Sequence, residues 1–241
     1  METEIYKKLS GVYTALSLER FSLSFGKAIL SYAAENKVQI HSGLDLCCGT
    51  GELCQYFSEH GIRMTGVDLS PEMIEIARES APGCWFQCAD ITDFQAEGTF
   101  DLVTCIDDSL NHLTEKDAVA TVFDTVYDLL PEDGLFLFDI INPDALTFDE
   151  PYRIHGKDGF TGEYFLQELP EGPDGARLLD IRLTAYENEK ELLSVTSRER
   201  IYGRNEIWEM LMDAGFTMPV CTTDFYGETT ALKYKIAAQK I

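Results

Sequence analysis

Between residues 43 and 141 the sequence alternates short apolar runs with longer amphipathic segments, and this alternation constrains the fold more than any other feature. Five runs have the length of a strand: LDLCC, IRMTGVDL, CWFQCAD, FDLVTCI and LFLFDI. Strands that alternate with helices form right-handed crossovers and a parallel sheet covered on both faces. The nearly continuous apolar character of the fourth and fifth runs is typical of strands that are buried on both sides.

Helix boundaries are marked by residues with known capping preferences. Ser70 followed by Pro71 predicts the start of a helix, with Ser70 as N-cap and Pro71 at the first helical position. Gly61 predicts the end of the preceding helix. The segment 114–117, TEKD, resembles a capping box with Asp in place of Glu and predicts a helix that runs to Leu130. Asn205 is predicted to cap a later helix that Gly215 closes.

Outside this alternating region the pattern changes. Residues 1–37 have helical spacing with a break near Gly11, so residues 1–40 are predicted to form a helical cover. Residues 159–202 alternate with period two and predict a three-stranded antiparallel ribbon, within an insertion that spans residues 150–202. A helix and two hairpin-like strands, MPVCTTDFY and ALKYKIAAQK, follow in residues 203–241. The predicted fold class is α/β, a single domain over residues 1–241. It has a Rossmann-like seven-stranded mixed sheet with helices on both faces, a core at residues 43–141 and the inserted ribbon.

Composition narrows the classes of partner. The chain has 241 residues, 45% of them hydrophobic, and a formal net charge of −23. Such a charge repels phosphate backbones and anionic lipids, so neither nucleic acid nor membrane is predicted as a partner. The first residues lack the pattern of a signal peptide, and there is no apolar run of about 18 residues. Seven cysteines, mostly in apolar stretches, indicate reduced thiols and a cytoplasmic protein.

The stretch DLCCGTGEL at residues 45–53 connects the first strand to a helix. Gly49 and Gly51 allow a tight turn and a close approach of the backbone to a ligand. A dinucleotide fingerprint would place a third glycine at Cys54, and a Walker loop would need Gly-Lys-Ser/Thr, so neither motif is present. Adjacent cysteines rarely bind one zinc ion, and Cys84 and Cys88 have no partnering histidines, so no metal site is predicted.

Acidic residues follow the next two strands. Asp68 ends the second strand, where a carboxylate can accept hydrogen bonds from a ribose diol. Asp90 and Ile91 end the third strand, where a carboxylate beside an apolar side chain suits an adenine ring. Each aspartate alone is also typical of a turn or helix cap. The ordered set favours a nucleoside site, because the carboxyl ends of adjacent parallel strands lie along one crevice.

These pieces resemble the class I S-adenosylmethionine-dependent methyltransferases. The matching motifs cover residues 43–141 in the family's order: LDLCCGTGEL, GVDLSPEMIEIA, CADI, FDLVTCIDDSLNHL and LLPEDGLFLFDI. The ending, a helix with AGF and then two strands of which the last is antiparallel, also fits. The resemblance implies S-adenosylmethionine as cofactor. It implies a cofactor site formed by Tyr13, Asp45, Cys47, Gly49, Gly51, Asp68, Leu69, Met73, Asp90, Ile91, Ile106 and Asp107.

The segment after the fourth strand, residues 107–113, resembles the acceptor-facing loop of small-molecule N-methyltransferases of the glycine and amino-sugar types. Those relatives commonly carry an uncharged pair such as Gly-Asn where this chain has Asp107 and Asp108. Two carboxylates disfavour an amino-acid acceptor and favour an amine. Asp108 or His112 is predicted to remove a proton. The alternatives are that the aspartates cap the following turn and that His112 is a buried, backbone-bonded histidine.

The inserted ribbon resembles a lid or dimerisation sheet of small-molecule methyltransferases, which allows a homodimer. Five residues are predicted to line an acceptor pocket from that side, although each is also typical of surface or core packing: Tyr152, Arg153, Arg200, Tyr202 and Tyr226. The predicted function is methyl transfer from S-adenosylmethionine to a small-molecule acceptor such as an amine. The alternatives are a protein- or RNA-modifying methyltransferase and a non-catalytic S-adenosylmethionine-binding protein.

Overall fold

A computed structural model describes residues 2–18, 20–36, 38–222 and 232–240 of the chain. Within these ranges lie the strands β1 (Ser42–Leu46), β2 (Arg63–Asp68), β3 (Trp85–Cys88), β4 (Leu102–Cys105), β5 (Leu135–Ile141), β6 (Tyr152–His155), β7 (Phe160–Glu168), β8 (Arg177–Glu187), β9 (Lys190–Ile201), β10 (Thr217–Thr222) and β11 (Lys233–Gln239). The same ranges contain the helices α1 (Glu2–Ser10), α2 (Arg20–Asn36), α3 (Glu52–Glu59), α4 (Pro71–Ser80), α5 (Lys116–Leu129) and α6 (Arg204–Asp213).

The larger sheet has seven strands in the order β10-β11-β5-β4-β1-β2-β3. Strands β1 to β5 are parallel to their neighbours among themselves, whereas β11 is antiparallel to both β5 and β10. The prediction of a seven-stranded mixed sheet with an antiparallel last strand is therefore confirmed. The strand order reverses at β1, because β2 and β3 follow on one side of it and β4 and β5 on the other. The carboxyl ends of these strands form a crevice at such a reversal.

Two apolar cores cover the two faces of this sheet. One packs α5 and α6 against the sheet through residues such as Phe123 and Leu211, and the other packs α2, α3 and α4 through residues such as Phe57. Every residue of β4 and β5 is buried, as their continuous apolar character predicts.

The inserted region forms a second, antiparallel sheet in the order β6-β7-β8-β9. It has four strands, so the prediction of three was wrong. The additional strand, β6, has only four residues, which is too few to show a period-two pattern in the sequence. One face of this sheet packs on the N-terminal segment through Leu9, Leu16, Leu183 and Val195.

Gly156 shows how closely the N-terminal segment approaches the second sheet. A Cβ atom at this position would lie 2.1 Å from the carbonyl oxygen of Ala15. The next residue, Lys157, donates its backbone N–H to the same oxygen at 2.8 Å. A side chain here would push the two segments apart, so glycine is required by the contact between them.

Three of the predicted helix boundaries are confirmed: the start at Ser70 and the ends at Gly61 and Gly215. The predicted starts of two other helices were wrong. The Ser70 hydroxyl accepts the Met73 N–H at 3.3 Å, and Gly61 and Gly215 follow their helices with positive φ. Helix α5 begins after Glu115 rather than Thr114, and no side-chain cap is present there. Helix α6 begins after Gly203, whose N–H reaches Glu206 Oε2 at 3.4 Å, so Asn205 lies inside the first turn.

Among the helices of the described ranges, none combines the length and the apolar character that crossing a bilayer requires.

Candidate active site

The glycine turn after β1 is built from residues in left-handed conformations. The φ angles are 58° at Cys47, 53° at Gly49 and 85° at Gly51. Glycine adopts such angles without steric cost, which explains both glycines of the motif. The turn aims the backbone N–H of Gly49 at the carboxylate of Asp68, 2.9 Å from Oδ2. The first and second strands are therefore joined at the crevice by a side chain.

Asp68 also organises the start of α4. Its Oδ1 accepts the N–H of Ser70 at 2.8 Å, and the residue is 9% exposed. Burial raises the pKa of the Asp68 carboxyl, and its bonds to backbone N–H groups oppose that shift. A carboxylate can accept about four hydrogen bonds. Asp68 therefore retains acceptor capacity on the side that faces the cavity.

A cavity of about 640 Å³ lies at the carboxyl ends of β1 to β5, between the two sheets. Its volume is in the range of small-molecule and cofactor sites. Most of the residues predicted from the sequence line it together: Tyr13, Cys47, Gly49, Asp68, Leu69, Met73, Asp90, Ile91, Asp107, Asp108, His112 and Tyr152.

The part of the cavity beyond β2 and β3 combines apolar side chains with one exposed carboxylate. Leu69 is 40% exposed although it is a large apolar residue, while Ile91 is buried. Asp90 Oδ1 accepts the N–H and hydroxyl of Thr92 at 2.9 and 2.7 Å. Asp90 thus caps a turn, as the alternative interpretation held, and also faces the cavity.

Three predicted cofactor residues do not line the cavity. Asp45 is 2% exposed and accepts the Thr104 hydroxyl at 2.6 Å within the sheet. Burial raises the pKa of Asp45 to about 7. Gly51 does not face the cavity but lets the turn pack closely against α4, because a Cβ there would lie 2.9 Å from the Cβ of Ala77. Ile106 is 5% exposed and belongs to the core under α2 and α3.

The loop after β4 is a left-handed turn held by a buried aspartate. Asp107 and Asp108 have φ angles of 63° and 52°. Their N–H groups donate to the two carboxylate oxygens of Asp139, at 3.0 and 2.6 Å. Asp139 is fully buried in β5, and burial raises its pKa to about 6 against the opposing effect of Lys233.

Lys233 neutralises much of the charge of this loop. Its ammonium group pairs with Asp107 and lies 2.5 Å from Asp108 Oδ1 and 3.9 Å from Asp139 Oδ1. It also lies 4.2 Å above the ring of Phe21. The sequence suggested that the two carboxylates were available to a cationic acceptor, but in the structure they already share a cation from β11.

His112 lies at the end of the short 3-10 turn Ser109–His112 and faces the N-terminal helix and the second sheet. Its Nε2 is 2.8 Å from the hydroxyl of Tyr6 and 3.7 Å from Glu199 Oε1. Burial raises the pKa of Tyr6, with a further contribution from Glu199, so the phenol stays protonated. Burial also raises the pKa of Glu199, and Asp108 adds to the shift. His112 is therefore placed between a side chain of α1 and a side chain of β9.

Of the five residues predicted to line an acceptor pocket, Tyr152 lines the cavity, and its hydroxyl oxygen accepts the N–H of Thr147 at 2.8 Å. Three others have structural partners and do not line it. Arg153 pairs with Glu163, Arg200 binds Thr114, Asp174 and Glu206, and the Tyr202 hydroxyl donates to the Leu113 carbonyl. Tyr226 lies outside the described residues.

Sequence reasoning missed Tyr6, Tyr164, Glu199 and Lys233, all of which line the cavity. A signal for Glu199 exists: Val195, Ser197 and Glu199 share one face of β9 by period two, and Val195 marks that face as the inner one. Tyr6, Tyr164 and Lys233 could not be placed from the sequence. They lie on α1, β7 and β11, which reach the crevice only through tertiary packing. An apolar roof completes the cavity: Leu9, Leu16, Ile154, Leu166, Ile181, Leu183 and Val195.

A sheet of this order, with a glycine turn after β1 and carboxylates after β2 and β3, defines the Rossmann-like class of proteins that bind a nucleoside group at the carboxyl edge. The family model described as "Methyltransferase domain" matches residues 44–134. A Geobacillus sp. (strain WCH70) protein named as a methyltransferase is 33% identical over 196 residues, which is 77% of each chain. YqeM of Bacillus subtilis (strain 168), also named as a methyltransferase, is 31% identical over 76% of each chain.

Solved structures agree in fold. An S-adenosylmethionine-dependent methyltransferase from Clostridium acetobutylicum ATCC 824 covers 98% of both chains with a TM-score of 0.76 and 22% identity. The sugar N-methyltransferase KedS8 from Streptoalloteichus sp. ATCC 53650 has a TM-score of 0.75 and 20% identity, over 95% of this chain and 92% of its own. The chain belongs to the class I S-adenosylmethionine-dependent methyltransferases.

The cavity fits this cofactor. A Cβ built on Gly49 meets no atom within 4 Å, so the turn leaves open space next to its backbone. Asp68 offers a buried carboxylate with spare acceptor capacity, and Leu69 offers an exposed apolar surface. These are the features that a ribose diol and an adenine ring require.

Proposed function

We propose that this methyltransferase transfers the methyl group to an amine of a small-molecule acceptor. The observation that supports an amine is the charge of the cavity. Of the residues that the structure describes, five carboxyl side chains line it, those of Asp68, Asp90, Asp107, Asp108 and Glu199, together with two strong bases, Arg20 and Lys233. Such a cavity favours a cationic acceptor and disfavours one that carries a carboxylate. The chain shares its fold with a sugar N-methyltransferase, and this is compatible with a small-molecule acceptor that carries an amine.

The residues at the carboxyl ends of β1 to β3 would hold the cofactor. Asp68 would accept the ribose hydroxyls, while Leu69, Met73 and Ile91 would pack around the adenine and Asp90 would accept its amino group. The turn at Cys47 and Gly49, together with Tyr13 and Asp107, would surround the methionine part. When bound, S-adenosylmethionine supplies an electrophilic methyl group, so that a carbon–nitrogen bond forms as the carbon–sulfur bond breaks and its electron pair stays on sulfur.

Two residues after β4 would prepare the acceptor. An amine arrives largely as an ammonium ion and must lose one proton before its nitrogen has a free electron pair. Asp108 and His112 are both on the cavity wall, and Glu199 Oε1 lies 3.7 Å from His112 Nε2. We propose His112 as the group that takes the proton and Asp108 as an electrostatic neighbour. Orientation of the two reactants is worth roughly 7–11 kcal/mol in such displacements.

The test has two stages. Calorimetry with S-adenosylmethionine should show binding, and absence of heat at millimolar cofactor would overturn the cofactor assignment. A methyl-release assay across a metabolite panel of amines, phenols, carboxylates, peptides and RNA should then give turnover with amines. Turnover with peptides or RNA would favour a macromolecular substrate. Binding without turnover on any acceptor would favour a non-catalytic cofactor-binding protein.

A matched pair of variants tests the proton acceptor. His112→Gln should lower kcat with amines by about 10²–10⁴-fold, because general-base catalysis contributes on that scale. His60→Gln is the control, since His60 is exposed, follows α3 away from the cavity, and its imidazole contacts the Tyr56 carbonyl and ring. Equal kcat values for the two variants would remove His112 from the proposal.

A further inference from the structure

We propose that Glu199 determines acceptor specificity by binding the ammonium group of an amine whose apolar body packs beneath the second sheet. This inference rests on the proposed function and names its substrate class more narrowly. Glu199 lines the cavity from β9 of the second sheet, whereas the predicted cofactor residues follow β1 to β3 of the larger sheet. No motif of the sequence pointed to this residue.

The first observation is the incomplete set of partners around the Glu199 carboxylate. Its Oε1 accepts the Ser197 hydroxyl at 3.1 Å and lies 3.7 Å from His112 Nε2. Among the described residues, Oε2 has no hydrogen-bond partner although the side chain is only 4% exposed. A buried carboxylate oxygen is costly unless a donor reaches it. Because Glu199 lines the cavity, a ligand that occupies the cavity can supply that donor.

The second observation is that the neighbouring charges leave Glu199 available. Lys233 is already shared by Asp107, Asp108 and Asp139. Arg200, next to Glu199 in sequence, points to the other face of β9 and pairs with Asp174 and Glu206. Within the described ranges, the other titratable groups that interact with Glu199 are His112, Tyr6, Tyr164, Asp107 and Asp108, and among these five His112 is the one that can become cationic.

The third observation is the apolar surface next to Glu199. On the same inner face of the second sheet, Leu183 and Val195 are buried, and Leu166 and Ile181 also line the cavity. A sugar would place hydroxyl groups against this surface without partners, and an amino acid would bring its carboxylate towards Glu199 and Asp108. The combination instead suits a primary or secondary amine attached to an apolar group.

The experiment compares three probes that share one apolar body: 2-phenylethylamine, 2-phenylethanol and 3-phenylpropionate. Binding is measured by calorimetry on the full chain in the presence of S-adenosylhomocysteine, the demethylated product, so that no turnover occurs. The wild-type protein should bind the amine at least tenfold more tightly than the alcohol and the carboxylate. Binding of none of the three probes, or no preference for the amine, would overturn the inference.

Two variants test whether Glu199 causes the preference for the amine probe. Glu199→Gln keeps the size of the side chain and should weaken amine binding at least tenfold while changing alcohol binding less than threefold. Glu191→Gln, an exposed position on the same strand, should leave all three affinities unchanged. Unchanged amine binding in Glu199→Gln would overturn the inference. If that variant does not fold, the probe comparison on the wild-type protein still decides whether the cavity selects an amine.

The two proposals fail in different ways. Absence of binding to S-adenosylhomocysteine and S-adenosylmethionine would overturn the proposed function and this inference with it. Cofactor-product binding without selection of the amine probe would overturn only the role of Glu199 and the apolar amine, and would leave methyl transfer to another acceptor in place.

Discussion

Asp68 supports the backbone of the crevice and faces the cavity, so a substitution tests both roles. Asp68→Ala should weaken binding of S-adenosylhomocysteine by about 1–3 kcal/mol, because partners in a buried site are left without an acceptor. The N–H groups of Gly49 and Ser70 also lose their partner. Calorimetry gives the dissociation constants, with Asp124→Ala on the exposed face of α5 as the control. A dissociation constant equal to that of the wild type would remove Asp68 from the cofactor site.

Asp139 determines the shape of the loop that carries two site residues. Asp139→Asn keeps one oxygen acceptor but replaces the other with an NH₂ group, which cannot accept the N–H of Asp107 or Asp108. The free energy of unfolding should fall by about 1–3 kcal/mol. Urea denaturation measures it, and Asp128→Asn on the exposed face of α5 should be neutral. Equal unfolding midpoints for the two variants would show that the loop holds its left-handed shape without Asp139.

The residues that sequence reasoning identified lie at strand ends that follow one another along the chain. Asp68, Asp90 and Asp107 could be placed together because parallel strands bring their carboxyl ends to one edge. Lys233 could not, since it comes from β11, which reaches the cavity through long-range pairing. For Glu199 the period-two pattern of β9 indicates the inner face but not the cavity that this face lines. Asp45 and Ile106 were misplaced because a motif gives a position on a strand but not the direction in which the side chain points.

At the scale of elements, Gly51 and Gly61 offer a matched pair. Both have positive φ, 85° and 83°, but a Cβ at Gly51 would lie 2.9 Å from Ala77 Cβ and 3.0 Å from Phe86 Cζ, whereas at Gly61 it meets nothing within 4 Å. Gly61→Ala should cost about 1 kcal/mol from backbone conformation alone. Gly51→Ala should cost about 1–3 kcal/mol more, from overpacking between α3, α4 and β3.

Urea denaturation of the two alanine variants separates these contributions. Because the φ angles are so similar, the difference between the two unfolding free energies reports the packing contact alone. Equal losses would show that α3 can shift to accept the methyl group, and that the glycine serves only the turn.

The element boundaries show which signals in the sequence are reliable. The pair Ser70 and Pro71 predicted the start of α4 because both the side-chain cap and the fixed proline φ act within one turn of the chain. The starts of α5 and α6 were missed by one or two residues because neither is capped by the predicted side chain. Strand β6 was missed because its pairing with β7, not its own sequence pattern, makes it a strand.

At the scale of the whole molecule, buried carboxyl groups should make stability depend on pH. Burial raises the pKa of Asp45 to about 7 in the folded chain, above its usual value of 3.8. The folded state therefore holds a proton that the unfolded state releases between these values. Stability should fall as pH rises from about 4 to about 7, by up to about 1.4 kcal/mol per pH unit, and the contribution should then level off.

Asp45→Asn isolates this contribution, since an amide resembles the protonated carboxyl and does not titrate. The difference in unfolding free energy between the wild type and the variant should shift in favour of the variant from pH 4 to pH 7. Asp139 titrates in both proteins and cancels in the difference. A difference that stays constant with pH would show that Asp45 is ionised in the folded state throughout this range.

The position of β11 has a consequence for synthesis on the ribosome. This strand lies between β5 and β10, and the part of the chain that reaches it is made more than 90 residues after β5 ends. Until it arrives, β5 keeps an unpaired edge, and Asp139 and the loop at Asp107 lack the ammonium group of Lys233. A nascent chain can therefore assemble β1 to β5 early, but the acceptor side of the cavity closes only after β11 has been made. Chaperone protection of the β5 edge is most needed in that interval.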